Sequence, residues 1–340
     1  MKRLADLKFS LPLLGGLLFV AMVLALGAGP VAIPPGEVLA IFKAGLGWGE
    51  MPLNNHFVIV WDLRLPRVLL AVLVGASLAL SGTVMQGFFQ NPMADPYIIG
   101  VSSGAALGAT IAMYSGIEFW LWGISAVSVF AFIGALIVTF LVYTISMRGG
   151  NLPITTVLLT GIAIGALAAA LTSFLLITSE RDLHRILYGI MGSLASRRWD
   201  HVQTILPYAV IGLIVLQFFA RDLNLILQGE ENAQYLGVDV ERVKRTLLVL
   251  AALLAAAAVA VSGIIGFVGL VVPHVMRLLV GPDHRKLFPT SVLGGAILLV
   301  GADVLARTLI APTEIPIGII TSVLGCPFFL YLLSRKSTSL

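Results

Sequence analysis

Long apolar stretches recur along this sequence and limit it to a fold that lies in a lipid bilayer. Runs of roughly 18–25 apolar residues, the length that crosses a hydrocarbon core, alternate with short charged or Pro/Gly-containing segments. Hydrophobic residues make up 59% of the 340 residues and charged residues only 11%. A soluble fold could not bury that much apolar surface, whereas in a bilayer the apolar side chains face lipid. The chain is therefore predicted to be a membrane protein.

About ten membrane-spanning helices are predicted from the apolar windows, so the fold class is all-α and residues 1–340 form a single transmembrane domain. The spans cover residues 11–29, 66–84, 97–114, 120–146, 154–178, 201–220, 245–262, 264–280, 290–310 and 316–334. Residues 31–65 are interpreted as a longer connection that contains polar residues. Residues 180–198 are interpreted as a short amphipathic, Arg-rich segment that does not cross.

The first span could also be a signal peptide, because Lys2, Arg3 and Lys8 precede its apolar run. That run is long for a signal peptide and nine further spans follow it, which favours an uncleaved first helix.

The distribution of Lys and Arg predicts that both termini are cytoplasmic. With the N-terminus inside, thirteen of the 21 basic residues lie on the cytoplasmic side and eight lie outside, as the positive-inside rule expects. Seven of the outer eight are Arg, the better residue for bidentate pairing with carboxylates. These arginines indicate an acidic partner on the outer side. The net charge of +4 requires no nucleic acid, and none is predicted as a partner.

Ionisable residues are scarce within the spans, where a charge at a helix centre costs about 2.5–3.5 kcal/mol on insertion scales. Asp303 is the clearest buried carboxylate, and Arg307 lies four residues later on the same helical face, which predicts an ion pair near the outer end. No series of Asp, Glu or His indicates a proton or sodium relay. This pattern disfavours a secondary carrier, although a sodium site made of carbonyl and hydroxyl oxygens stays open.

The sequence offers no catalytic, cofactor or metal site. It has no GxxxxGK[ST] motif, so the chain is not predicted to bind ATP. His274 and His284 are the histidines nearest to each other but have no carboxylate companions, and Cys326 is the only cysteine. An enzyme is therefore not predicted.

Glycines spaced four apart are typical of helices that pack closely. Such spacing occurs at Gly100, Gly104 and Gly108, and again at Gly161 and Gly165. Close packing is the favoured interpretation, and a glycine-lined path is the alternative.

A short cytoplasmic helix is predicted after the sixth span. Glu230 and Glu231 stand at its start and Gly237 at its end, as expected for a helix lying on the inner face of the membrane. It is either an ordinary solvated helix or a lever that docks in a partner protein.

Six blocks in the sequence resemble those of the FecCD family, the permeases of type II ABC importers for ferric siderophores, haem and cobalamin. The resemblance covers about residues 60–335. The blocks are Arg64–Arg67 (RLPR), Ser81–Pro96 (SGTVMQGFFQNPMADP), Gly229–Gly237 (GEENAQYLG), Gly263–Arg277 (GIIGFVGLVVPHVMR) continued by Asp283–Arg285, Ala302–Arg307 (ADVLAR) and Glu314–Gly318 (EIPIG).

The resemblance implies a homodimer of ten-helix subunits with the pathway at the dimer interface. Two ATPase subunits, which bind ATP and Mg, would dock beneath, and a periplasmic or lipoprotein binding protein above. The segment at about 229–240 would be the coupling helix that contacts the ATPase, through Glu230, Glu231, Ala233, Leu236 and Gly237. The outer arginines Arg64, Arg67 and Arg307 would pair with acidic residues of the binding protein.

The resemblance also places a cytoplasmic gate between the fourth and fifth spans, with the fifth span lining the path. The gate and pathway residues would be Leu152, Pro153, Ile154, Thr155, Thr156, Thr160 and Ile164. The expected function is import of a metal chelate across the inner membrane by alternating access. Alternatives are an oxyanion importer of the same family, for example for molybdate, and a secondary carrier that works without ATP.

Overall fold

The computed structural model describes residues 7–45, 47–48, 55–121, 123–179 and 190–336. Within this part of the chain, ten apolar helices correspond to the ten predicted spans, and two further helices, α2 and α8, lie between them. The helices are α1 Leu7–Gly27, α2 Pro35–Gly45, α3 His56–Phe88, α4 Val101–Tyr114, α5 Ala126–Ser146, α6 Ile154–Thr178, α7 Trp199–Ile226, α8 Glu230–Tyr235, α9 Val240–Ser262, α10 Val268–Val280, α11 His284–Thr308 and α12 Ile317–Lys336.

Seven of the ten apolar helices are long enough to cross a membrane by length and composition, whereas α4, α10 and α12 contain shorter apolar stretches. Two of these are shorter than predicted because residues with positive φ precede them. Gly100, at φ +82°, separates α4 from a 3-10 turn at Pro96–Ile99. Gly263 and Phe267, at φ +72° and +67°, delay the start of α10. Helical backbone requires negative φ, so both helices start later than the apolar pattern does.

Two other predicted boundaries were wrong. The connection predicted over residues 31–65 contains α2, and α3 already begins at His56 with a π-helical stretch at Ile59–Arg64. The span predicted to start at residue 120 instead opens with a small antiparallel sheet, in which Trp120–Leu121 (β1) pairs with Ile124–Ser125 (β2). The Ser125 side chain then caps α5 by accepting a hydrogen bond from the Ser128 N–H at 3.3 Å.

An amphipathic segment was predicted over residues 180–198. Its first part, residues 180–189, lies outside the described residues. Residues 190–198 form no membrane-spanning helix. Part of this stretch joins the turn before α10, where the Gly192 N–H donates to the Ile264 carbonyl at 3.0 Å.

Helix α3 is the buried axis of the bundle. In its most apolar window 83% of the residues are buried, against 17% in α1 and 22% in both α6 and α7. It packs against α9, α10 and α11. The peripheral helices α1, α6 and α7 thus leave apolar faces for lipid or for another protein.

Glycines allow the central helices to approach each other at backbone distance. Gly82 on α3 faces the backbone of Gly269 on α10, and Gly75 faces Gly295 on α11. Gly104 and Gly108, two of the glycines with the four-residue spacing, lie against the α5 backbone, and Gly161 lies against the Ile98 carbonyl. The interpretation of these glycines as close-packing positions is supported.

We expect Gly82→Ala to destabilise the bundle, because its new Cβ would collide with the Gly269 carbonyl. Overpacking of this kind costs about 1–3 kcal/mol. The matched control is Gly301→Ala on α11, where nothing lies within 4 Å of the added Cβ and the higher helix propensity of Ala favours the variant. The midpoint of thermal unfolding in detergent should fall for the first variant and not for the second. Equal midpoints would contradict the proposed close contact of α3 and α10.

Candidate functional site

Arg67 organises the end of the bundle that is predicted to face outward, the outer end, by binding two carboxylates. Its Nε donates to Asp303 Oδ1 on α11 at 2.8 Å. Its two terminal nitrogens donate to the two oxygens of Glu314 at 2.9 and 3.0 Å, a bidentate geometry that adds both strength and direction. The Asp303 side chain is only 1% exposed. Arg67 therefore ties α3 to α11 and to the segment that leads into α12.

Arg64 and Arg307 are buried, and both hold the C-terminal end of α1. Arg64 donates to the Leu26 and Val31 carbonyls at 2.8 and 2.6 Å, and Arg307 donates to the Ala25 and Ala28 carbonyls. Cations at this position satisfy carbonyls that the helix leaves open and complement its dipole. The predicted Asp303–Arg307 ion pair is confirmed at 3.4 Å. The contacts with α1 were not predicted.

The outer recess is an arginine-rich cavity of about 320 Å³ at this end of the bundle. Its lining includes the guanidinium-bearing residues and one carboxylate, namely Arg64, Arg67, Arg197, Arg198, Arg307 and Glu314. Burial lowers the pKa of Arg197, whose Nη1 lies 3.1 Å from His201 Nε2. Arg197 and Arg198 belong to the seven arginines predicted on the outer side, but no individual role was predicted for either.

All three arginines that were assigned to docking thus border the outer recess, and all three also bind groups of their own chain. Docking to an acidic partner stays a prediction for them. Arg198, by contrast, is exposed at the same recess.

The short helix predicted after the sixth span is present as α8, between α7 and α9. Its cytoplasmic location stays a prediction. Gly229 and Gly237 flank it with φ of +125° and +83°, conformations that glycine adopts without steric cost. Ala233 is fully buried and packs among buried apolar residues of the bundle, such as Ile226 and Val240. Tyr235 and Leu236, by contrast, are 88% and 66% exposed. The helix therefore presents an apolar surface away from the bundle.

Lys244 on α9 connects α8 to the start of α9. Its Nζ lies 2.6 Å from Glu230 Oε1 and 3.6 Å from Glu241 Oε1, while its side chain is only 7% exposed. The other oxygen of Glu241 accepts a hydrogen bond from the Leu152 N–H at 2.9 Å.

The predicted gate lies at the start of α6, directly after a tight turn. Arg148 and Asn151 pair across Gly149 and Gly150, which have φ of +57° and +86°. Leu152 is buried and Pro153 is the N-cap of α6.

The other residues assigned to the gate and pathway lie on α6 and are at least partly exposed. They are Ile154, Thr155, Thr156, Thr160 and Ile164. Their role as a path stays a prediction.

In the part of the chain that the structure describes, no group of three or more His, Cys, Asp or Glu side chains could hold a metal ion. His284 instead contacts Asn224, with Nδ1 at 2.8 Å from the amide oxygen.

Comparison with known proteins places this arrangement in a family. Residues 17–335 match the FecCD transport family. The chain is 52% identical over 324 residues to the cobalamin import system permease protein of Halobacterium salinarum, covering 90% of this chain and 86% of that protein. It is 45% identical to the hemin transport system permease protein of Yersinia pestis, covering 95% and 96%.

A solved structure supports the same assignment. It is described as a metal-chelate type ABC transporter in an inward-facing conformation, and it superposes with a TM-score of 0.83 at 33% identity, covering 96% of this chain and 98% of that one. This chain therefore belongs to the FecCD transport family and is a multi-pass permease subunit of the ABC-importer type.

Proposed function

We propose that this chain is the membrane-spanning subunit of an ATP-driven importer that carries a metal chelate to the cytoplasm. The observation that carries the proposal is the exposed apolar surface of α8, which lies at the opposite end of α7 from the arginine-rich outer recess. Arg198 directly precedes α7 and α8 follows it. The 28 residues of α7 span about 42 Å at 1.5 Å per residue. A partner at α8 and a partner at the recess would therefore bind on opposite sides of the membrane.

The inner partner of α8 is an ATPase subunit with its ATP and Mg. The exposed Tyr235 on this short helix outside the bilayer is the kind of aromatic anchor that contributes most to the energy of protein interfaces, and exposed Leu236 extends the apolar surface around it. Glu230 and Glu231 begin the helix, so its first turn also offers negative charge. Two such ATPase subunits would serve a homodimer, one for each copy of α8.

The second copy of this chain covers α6. Exposed apolar residues such as Leu159, Ile162 and Phe174 follow that helix along its length. At the dimer interface, Thr156, Thr160 and Ile164 would line the path, and the segment from Leu152 to Thr156 would close its cytoplasmic end. A path of hydroxyl and apolar groups binds a large chelate weakly, which suits passage. The protein would lie in the inner membrane, with both termini on the cytoplasmic side.

The cargo is a cobalt- or iron-containing chelate, such as cobalamin, haem or a ferric siderophore. The names of the two relatives support the first two of these substrates, and their identities of 52% and 45% favour chelates over oxyanions. A soluble or lipid-anchored binding protein would deliver the chelate to the outer recess, where the five arginines offer positive charge to acidic side chains.

We expect Tyr235→Glu to remove the ATPase subunit from this permease. A carboxylate at the centre of an apolar contact is desolvated without a partner, and loss of an aromatic anchor costs at least about 2 kcal/mol. The amount of ATPase that co-purifies with the tagged permease should fall at least about tenfold. Gln228→Glu adds the same charge at an exposed position just before α8 and should retain the ATPase. If no ATPase co-purifies with the unmodified chain, the proposal is wrong and a carrier that works without ATP is favoured.

We expect Arg198→Glu to weaken capture of the binding protein without changing the stability of the permease. The exposed charge lies at the recess, so its reversal should reduce the association rate by about tenfold at low salt and by less at high salt. Lys43→Glu makes the same charge change at an exposed position on α2 and should bind normally. Surface-captured permease with the binding protein in solution provides the measurement. Equal association rates for both variants would contradict docking at the recess.

Arg67→Met should act on stability first, in contrast to Arg198→Glu. The substitution leaves Asp303 buried without its closest cation, and breaking a buried pair from one side costs about 3–5 kcal/mol. We expect a large fall in the thermal unfolding midpoint. Arg148→Met, at an exposed cytoplasmic turn, serves as the control and should unfold like the unmodified protein. An unchanged midpoint for Arg67→Met would show that the cluster does not hold the outer end together.

A further inference from the structure

We propose that Lys244 and Glu241 form an ionic relay that transmits movement of α8 to the start of α6. The relay is the connected series Glu230–Lys244–Glu241–Leu152, and the inference rests on the proposed roles of α8 as the coupling helix and of residues 152–156 as the gate. Three contacts form it: 2.6 Å from Glu230 to Lys244, 3.6 Å from Lys244 to Glu241, and 2.9 Å from Glu241 to the Leu152 N–H.

Lys244 can transmit force because it is buried and bound on two sides. Its side chain is only 7% exposed, and the carboxylates of Glu230 and Glu241 replace water around the ammonium group. Movement of α8 away from α9 would leave that cation buried without its closest partner, which is strongly unfavourable. The ammonium group must therefore move with Glu230 or move closer to Glu241.

Glu241 can pass the change on because each of its oxygens has a separate task. Oε1 lies 3.6 Å from the Lys244 ammonium group, and Oε2 accepts the hydrogen bond from the Leu152 N–H. A carboxylate that accepts from a backbone N–H forms a charge-assisted bond, which is roughly twice as strong as a neutral one. A stronger or weaker pull by Lys244 changes the position of the same carboxylate that holds Leu152.

Movement of Leu152 would reach α6 directly, because Leu152 lies next to Pro153, the N-cap of that helix. Pro153, the N-cap of α6, has no N–H of its own, so the hydrogen bond to Leu152 holds the chain at the helix entrance. The glycines at positions 149 and 150 precede this point with positive φ and allow the turn to change shape. The relay therefore ends on a segment that can move without unfolding α6.

The test measures whether ATP changes the accessibility of the gate turn. Cys326, the only cysteine, is replaced by Ser, and exposed Asn151 is replaced by Cys as a reporter. The permease with its co-purified ATPase is placed in lipid nanodiscs and labelled with a soluble maleimide, without nucleotide and with MgATP plus vanadate. The readout is the ratio of the two labelling rates, which requires no knowledge of the cargo.

We expect Lys244→Met and Glu241→Gln to reduce this ratio by at least about fivefold, the lower range of a coupling between sites. The double variant should lose no more than either single variant, because both interrupt one series of contacts. Lys244→Arg keeps the charge and should retain most of the effect. Arg242→Met removes an exposed charge from the same turn of α9 and should behave like the parent.

Glu241→Gln keeps the test interpretable if Lys244→Met fails to fold, since it leaves the Lys244–Glu230 pair in place. A merely structural role for these residues would lower the thermal unfolding midpoint but leave the ratio of labelling rates at the parent value. That result, in a parent that responds to ATP, would overturn the relay while leaving the proposed function intact. A parent without any ATP-dependent change in labelling would contradict the proposed function and the relay together.

Discussion

Close backbone contact along α3 determines where the neighbouring helices of the bundle lie. Lipid tails are as apolar as leucine side chains, so helices gain nothing from the hydrophobic effect by leaving lipid for each other. They gain from dispersion contacts, which require near-perfect fit. Gly75 and Gly82 on α3 provide that fit against two neighbouring helices, since their partners are the backbones of Gly295 on α11 and Gly269 on α10. Once α10 and α11 are fixed against α3, the positions of the charged groups at their ends are fixed as well.

The charged clusters at the two ends of the bundle solve different physical problems. At the outer end, Arg64 and Arg307 satisfy the carbonyls that end α1, Arg67 pairs with Asp303 and Glu314, and Arg307 also pairs with Asp303. These contacts join segments that are distant in sequence and hold them together. At the inner end, Lys244 joins only α8 and α9 directly, and one further hydrogen bond reaches the start of α6. A short series of contacts between small elements can change without disturbing the buried axis.

The sequence was sufficient for features that depend on local pattern. Apolar length located the ten spans, and the acidic start and glycine stop located α8, because both signals act within a few residues. Boundaries set by backbone conformation were missed, as at Phe267, where a bulky residue adopts positive φ. Partners far apart in sequence were missed for a different reason. Nothing local to Arg64 indicates the Leu26 carbonyl, and nothing local to Glu241 indicates the Leu152 N–H, since 38 and 89 residues separate them.

The three arginines assigned to docking, Arg64, Arg67 and Arg307, differ in what they can offer a partner. A guanidinium has five N–H donors, and Arg67 already uses all three of its nitrogens on two carboxylates. An acidic side chain approaching Arg67 would meet Asp303 and Glu314 as like charges. Arg307 likewise lies 3.4 Å from Asp303, whereas Arg64 donates to neutral carbonyls, which a carboxylate can outcompete because charge-assisted bonds are stronger. Any direct contact with an acidic partner would therefore form through Arg64 before Arg67 or Arg307, and would draw on the same donors that hold the end of α1.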